Sequence, residues 1–187
     1  STTGTLSTAA DNLFIGTTAT ALTSGDGNIA IGNYADAAVT NSNYNVAVGY
    51  AALEDTNADC NTAVGTNADK QNSTGVYNTS LGEQACEGVH GNSHSYNTAI
   101  GAKANELCTT GGYNVTLGAY AGDNMTTAEG CVIIGSVDAP SATAGRQLMI
   151  TGNTGIASTT WWEGNAQGAV INDDLVHMAV PGQSYGP

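Results

Sequence analysis

The stretch Asn97-Thr-Ala-Ile-Gly101 decides the fold of this chain, because it recurs with small changes in eight units. The glycines that end successive units are 16, 17, 16, 17, 19, 17 and 17 residues apart. Self-similarity at a fixed period indicates a stack of like structural units, that is, a solenoid. The repeat asparagines are Asn12, Asn28, Asn45, Asn61, Asn78, Asn97 and Asn114, with Cys131 in the last unit, and the repeat glycines are Gly16, Gly32, Gly49, Gly65, Gly82, Gly101, Gly118 and Gly135.

The period of the repeat limits what each unit can contain. Two-helix repeats need more than about 30 residues, so units of this length hold only short strands and turns. Alternation along a strand places aliphatic residues such as Val46 and Val48 on one face and the small Ala47 on the other. We expect the aliphatic ladder to face inward and the small-residue face to pack closely around a symmetry axis.

Asparagine, glycine and tyrosine each hold a fixed place in the unit. The asparagine side chain is expected to bond the backbone and to stack on the asparagine of the next coil. The alternative is that asparagine merely tolerates the turn and forms no ladder. The glycine indicates a positive φ or a chain passing too near for a Cβ. Four tyrosines precede the repeat asparagine, as a sugar-stacking stripe or, the interpretation we favour, as structural stacking between coils; they are Tyr44, Tyr77, Tyr96 and Tyr113.

The unit Asn-x-Ala-(Ile/Val)-Gly-x-x-Ala resembles the head repeat of trimeric autotransporter adhesins, and the similar roll of many bacteriophage tail fibres. The resemblance covers about residues 12–139. It implies an all-β fold, a left-handed parallel β-roll or solenoid of about eight coils, assembled as a homotrimer. The chain departs from the autotransporter pattern in its longer period, and these 187 residues contain no coiled-coil, neck or membrane-anchor pattern.

The sequence predicts three parts: a lead-in over residues 1–11, the β-roll over 12–139, and a small C-terminal β cap or tip region over 140–187, where the register is expected to stop. The segment from Arg146 to Asn165 is similar to segments that follow β-roll repeats in phage tail fibres. Trp161 and Trp162 are expected to belong mainly to the core of this cap, and His177 to a final strand.

Charge excludes one class of partner. The net charge is −13 and only 10% of residues are charged, with Lys70, Lys103 and Arg146 as the strong cations. Nucleic acid needs Lys and Arg to neutralise its phosphates, so no nucleic-acid partner is expected.

No stretch approaches the ~18 apolar residues of a membrane span, so no membrane insertion is expected. Catalytic and cofactor-binding motifs are missing, which predicts a non-enzymatic chain without a cofactor.

Histidines and cysteines are the remaining candidates for chemistry. His90 and His94 lie in the longest interval, and a His-x3-His pair is a weak candidate for a transition-metal site. Because their loop has no fixed geometry and no further ligand, two solvent-exposed histidines are favoured. Four cysteines occupy different register positions, which favours buried free thiols over a disulfide; they are Cys60, Cys86, Cys108 and Cys131.

These features predict a structural fibre or adhesin segment, with a phage tail fibre in the virion as the leading expectation. Its variable loops and tip would attach to a host cell-surface glycan or protein. A bacterial trimeric adhesin or surface-filament subunit at the bacterial cell surface is the first alternative. A polysaccharide-degrading tail enzyme, with a carboxylate pair assembled across coils, is the second. The substitution Ile100→Asp is expected to collapse the assembly.

Overall fold

A computed structural model of the chain describes residues 11–16, 25–37, 41–91, 93–153, 158–164 and 170–171. All strands belong to one sheet and follow one another in sequence order. None of the described residues forms a helix long and apolar enough to cross a membrane. The strands are β1 (Leu13–Ile15), β2 (Ile29–Ile31), β3 (Val46–Val48), β4 (Thr62–Val64), β5 (Thr79–Leu81), β6 (Thr98–Ile100), β7 (Val115–Leu117), β8 (Val132–Ile134), β9 (Leu148–Asn153), β10 (Ser158–Gly164) and β11 (Val170–Ile171).

Equivalent residues of successive units lie side by side in a parallel ladder. Val48 pairs with Val64, Val64 with Leu81, and Leu81 with Ile100. The parallel part comprises nine strands, β1 to β9, and forms a solenoid of about seven turns. The all-β solenoid predicted from the repeat is therefore confirmed.

The strand faces are reversed relative to the sequence-based expectation. In each unit from β1 to β8 the middle residue is buried, as with Ala47, Ala63 and Ala99, which have no exposed surface. The flanking aliphatic residues point outward, and Ile100 is 38% exposed. The small-residue face therefore fills the narrow interior of the coil itself rather than packing at a symmetry axis, and the aliphatic ladder lies outside.

The expected asparagine ladder is present. The Oδ1 atom of Asn28 accepts the backbone N–H of Asn45 at 2.9 Å, and Oδ1 of Asn45 accepts that of Asn61 at 2.8 Å. The Nδ2 atom of Asn45 donates to the Ala58 carbonyl at 2.8 Å. The series runs to Asn114, and all seven repeat asparagines are buried. The ladder therefore satisfies backbone groups that the narrow coil would otherwise bury without partners.

Both reasons for a repeat glycine apply. Gly49 has φ of 136°, a conformation that side chains disfavour. A Cβ placed on Gly49 would lie 2.5 Å from the carbonyl oxygen of Gly65 in the next coil. The coils are thus stacked backbone on backbone at this corner.

The sequence predicted that the register stops near residue 140, but in the structure the register continues. Strand β9 continues the parallel ladder, with Val132 beside Leu148. Gln147 takes the asparagine position, and its backbone N–H lies 3.4 Å from Cys131 Sγ. Thr151 takes the glycine position, beneath which Gly135 packs. On the other edge of β9 the sheet becomes antiparallel: β10 pairs with β9 from Leu148 to Asn153, and β11 pairs with β10.

Parts of the predicted lead-in and cap lie outside the described residues. These are residues 1–10, 154–157, 165–169 and 172–187, which include His177. Trp161 and Trp162 lie on β10, where the structure describes the backbone only.

Candidate interaction surfaces

The first candidate surface is the outer face of strands β1 to β8, which we term the outer aliphatic stripe. Seven of its large side chains are exposed by 36 to 50%, the other aliphatic side chains and the threonines of β4 to β6 are half-buried, and none of its positions carries a charge. At about 4.8 Å per strand, the eight rungs extend for about 34 Å. The most exposed members are Ile15, Ile29, Val64, Leu81, Ile100, Val115 and Leu117.

Such a stripe is unusual for a chain that works alone. Monomeric soluble proteins rarely expose contiguous apolar patches of more than a few hundred Å². The absence of charge is notable in a chain of net charge −13, because the acidic side chains must then lie elsewhere on the surface. The stripe therefore has the chemistry of a buried interface.

The second candidate surface is the tyrosine column, formed by Tyr77, Tyr96 and Tyr113 on three successive coils. The rings of Tyr96 and Tyr113 are 4.7 Å apart and nearly parallel, and those of Tyr77 and Tyr96 are 5.3 Å apart. The expected stacking between coils is confirmed for these three residues. Stacking covers both faces of Tyr96, so the column presents mainly ring edges to solvent. In the described residues, no ring stacks on the face of Tyr113 that is turned away from Tyr96.

Two of the three strong cations are neutralised locally. Lys70 pairs with Glu54 at 3.0 Å, and Lys103 pairs with Glu106 at 2.9 Å. Exposed pairs of this kind contribute little to stability. They leave Arg146, which makes no ion pair with a carboxylate in the described part of the chain.

The two candidate metal-binding histidines lie in different environments. His90 is on the outside, with Nδ1 3.2 Å from Asp55 Oδ2. The side chain of His94 is fully enclosed, so the expectation of two solvent-exposed histidines is wrong for His94. The loop folds into the coil there, and the His94 carbonyl accepts the Nδ2 of Asn78 at 2.8 Å. No group of three or more His, Cys, Asp or Glu side chains in the described segments is placed to hold a metal ion.

A buried acid and base, Asp69 and His94, meet inside the coil. The distance between His94 Nε2 and Asp69 Oδ1 is 3.5 Å. Burial raises the pKa of Asp69 to about 8, partly opposed by the hydrogen bond from Asn72, and burial lowers the pKa of His94 to about 4. At pH 7 both groups are therefore mainly uncharged, and the contact is a neutral one rather than an ion pair. Complete enclosure makes this pair a part of the core.

Asp36 occupies the same register position as Asp69, four residues after a repeat glycine. Its carboxylate oxygens are buried and have no hydrogen-bond partner among the described residues, and burial raises the pKa of Asp36 to about 7. The equivalent positions in other coils carry Leu53, Cys86 and Asn105. No repeat pattern marks this inward column, so the sequence-based reasoning missed it.

The cysteines are free thiols, as expected from their unmatched register. Cys86, Cys108 and Cys131 are buried, and Cys60 is half-buried. Burial raises the pKa of the Cys108 thiol to about 12, which keeps this group protonated and unreactive. Cys131 takes part in the asparagine ladder, since its backbone N–H donates to Asn114 Oδ1 at 2.9 Å.

Comparisons of this chain with protein-family models, with curated proteins and with solved structures give no match.

Proposed function

We propose that this chain is a structural, non-enzymatic segment of a fibre, in which three copies pack side by side and present their loops to a host cell surface. The observation that carries the proposal is the outer aliphatic stripe. Burial of apolar surface stabilises by about 25 cal/mol per Å². A second copy that covers a face of this length therefore contributes substantially to the free energy of association.

Copies of the same chain are the partners that match the stripe best. Each copy presents an uncharged row of aliphatic side chains with the same rung spacing, so the rows interdigitate along their whole length. A closed cyclic arrangement buries the stripe of every copy, whereas an open arrangement leaves one uncovered. The number three, the left-handed roll and the tail-fibre setting come from the resemblance of the repeat to adhesin heads and phage fibres.

Attachment to a glycan or protein is proposed for the surface that the stripe leaves free. Variable Gly-, Asn- and Thr-rich loops between the repeat alanine and the next asparagine lie on a regular scaffold, an arrangement typical of recognition surfaces. The acidic surface keeps assembled fibres soluble and apart. A phage tail fibre is preferred, and a bacterial adhesin or surface filament with the same roll is the alternative.

The experiment is a cell-binding assay with fluorescently labelled chain. Bacterial strains with defined envelope polysaccharides form one arm, and animal cells form the other. A tail fibre binds selected bacterial strains, whereas a bacterial adhesin binds the animal cells. Failure to bind any cell in either arm would overturn the attachment function.

The enzyme alternative has its own readout. Incubation with purified capsule polysaccharide from bound strains, followed by an assay for new reducing ends, measures cleavage directly. The proposal predicts no release above that seen with heat-unfolded chain. Release that depends on folded protein would replace the structural proposal with the polysaccharide-degrading one.

A further inference from the structure

The tyrosine column has an interruption at its upper end. The position before the repeat asparagine carries Tyr113 in one coil, Gly130 in the next and Arg146 in the one after. All three residues have the same left-handed backbone, with φ of 58°, 68° and 57°. The coil with Gly130 therefore follows the same path as its neighbours but contributes no side chain.

Among the described residues, the space beside Gly130 is open. If Gly130 carried a Cβ, the one heavy atom of these residues within 4 Å of it, apart from its chain neighbours, would be Cγ of Arg146, at 4.0 Å. Gly27 occupies the equivalent position lower in the stack, and there a Cβ would lie 2.8 Å from the ring of Tyr44. The lower glycine is thus covered by a ring, whereas the upper one borders a slot between Tyr113 and Arg146, which we term the Gly130 slot.

The dimensions of the Gly130 slot suit one flat ring. Its two walls are two coils apart, or about 9–10 Å from backbone to backbone at about 4.8 Å per coil. Rings within the column stack at 4.7 Å, so one ring-shaped group fits between the walls. Tyr113 is 58% exposed, against 44% for the sandwiched Tyr96, and in the described residues no second ring stacks on Tyr113.

The polar groups beside the slot indicate the chemistry of its ligand. A depression of about 310 Å³ adjoins it and is lined by Thr127, Glu129, Thr143, Gly145 and Arg146. Arg146 is the strong cation without a carboxylate partner in the described residues, although the chain carries a net charge of −13. A guanidinium binds carboxylates in a two-pronged geometry, and an aromatic face stacks on the apolar face of a sugar ring.

We propose that the Gly130 slot binds one residue of a carboxylated saccharide. The sugar ring stacks on the upper face of Tyr113, and its carboxylate pairs with the guanidinium of Arg146. The hydroxyl groups of the sugar donate to the Glu129 carboxylate and bond the two threonines. This inference rests on the proposed attachment function and names the class of surface glycan that one part of the fibre recognises.

The test is calorimetric titration of the chain with trisaccharides of galacturonic acid, glucuronic acid and sialic acid, and with a neutral galactose trisaccharide. We expect at least one acidic probe to bind, and the neutral probe to bind at least tenfold more weakly. Arg146→Gln should weaken binding at least tenfold. Lys103→Gln removes the same charge from a cation that is already paired, and it should leave binding unchanged.

A second variant separates binding from folding. Gly130→Tyr fills the slot and extends the ring stack on a backbone that accepts tyrosine in the coil below. It should keep or raise the melting temperature and abolish binding. No binding of any acidic probe at millimolar concentration, or undiminished binding by either Arg146→Gln or Gly130→Tyr, would overturn the proposal. If Arg146→Gln and Gly130→Tyr bind cells as the parent does, the Gly130 slot is not the recognition site, and the attachment function stands. If the parent binds no cell, the attachment function itself fails.

Discussion

Replacement of Asn45 by alanine removes one rung of the asparagine ladder and should destabilise the fold strongly. The change leaves the buried N–H of Asn61 without its acceptor and the carbonyl of Ala58 without its donor, both now satisfied at 2.8 Å. An unsatisfied buried polar group costs about 1–3 kcal/mol, so the two together lower the free energy of unfolding by about 2–6 kcal/mol. That is a large part of the ~5–15 kcal/mol typical of a folded domain.

The assay is denaturant unfolding followed by circular dichroism and tyrosine fluorescence. Asn57→Ala is the matched control, because the same side chain is removed from an exposed position. It should change the free energy of unfolding by less than about 0.5 kcal/mol. If Asn45→Ala also stays within that range, the ladder contributes nothing that water does not replace, and its stabilising role is refuted.

Three further substitutions test other parts of the account. Gly49→Ala places a Cβ 2.5 Å from the next coil's carbonyl oxygen. It should lower the melting temperature far more than Gly91→Ala, where φ is also positive (83°, against 136° at Gly49) but where no atom of the described residues, apart from the chain neighbours, lies within 4 Å. Equal losses would contradict the close approach. Burial raises the folded-state pKa of Asp36 from 3.8 to about 7, so the parent loses stability as the pH rises through that window. Asp36→Asn should therefore match the parent near pH 4 and be more stable by about 4 kcal/mol at pH 8. A pH-independent difference between the two in denaturant unfolding would contradict this. Ile100→Asp should leave the coil folded, as judged by circular dichroism, but weaken self-association. Val89 is 45% exposed and lies outside the stripe, so Val89→Asp should not weaken self-association. Equal masses in solution for both variants would count against the stripe as the interface.

The solenoid could be predicted from the sequence because the periodic residues have roles that only stacking explains. A buried asparagine that bonds the next asparagine needs the same residue at the same place in each coil. A glycine such as Gly49 is needed wherever two backbones touch. Both signals are local in the sequence and repeat, so the all-β stack, the ladder and the glycine corner could be predicted without coordinates.

The choice between the two strand faces could not be predicted from the repeat. A three-residue strand has two faces, and small residues suit either a narrow interior or a close contact between chains. In β2 to β6 the thin coil holds alanine or serine at the inward position, as at Ala63 and Ser80, and the flanking aliphatic residues are left outside. Phe14, Thr116 and Ile133 fill the same position in β1, β7 and β8. The width of the coil depends on its corners, where non-glycine residues such as Gln84 and Cys86 adopt positive φ. No sequence pattern marks such corners.

The ninth rung and the buried pair were missed for a related reason. Gln147 replaces asparagine and Thr151 replaces glycine, so the last rung lacks both marker residues while keeping their positions. His94 lies in a Gly- and Ser-rich loop, which predicts exposure, but the loop turns inward to Asp69. Composition describes what a loop is made of, whereas burial depends on the path it takes across the coil.

The most direct test of the proposed assembly is the mass of this chain in solution, measured by light scattering. Three chains of 18.7 kDa predict a particle of about 56 kDa, in which each outer aliphatic stripe is covered. A particle of 18.7 kDa that unfolds cooperatively would contradict the account, because the stripe would then be stable in water.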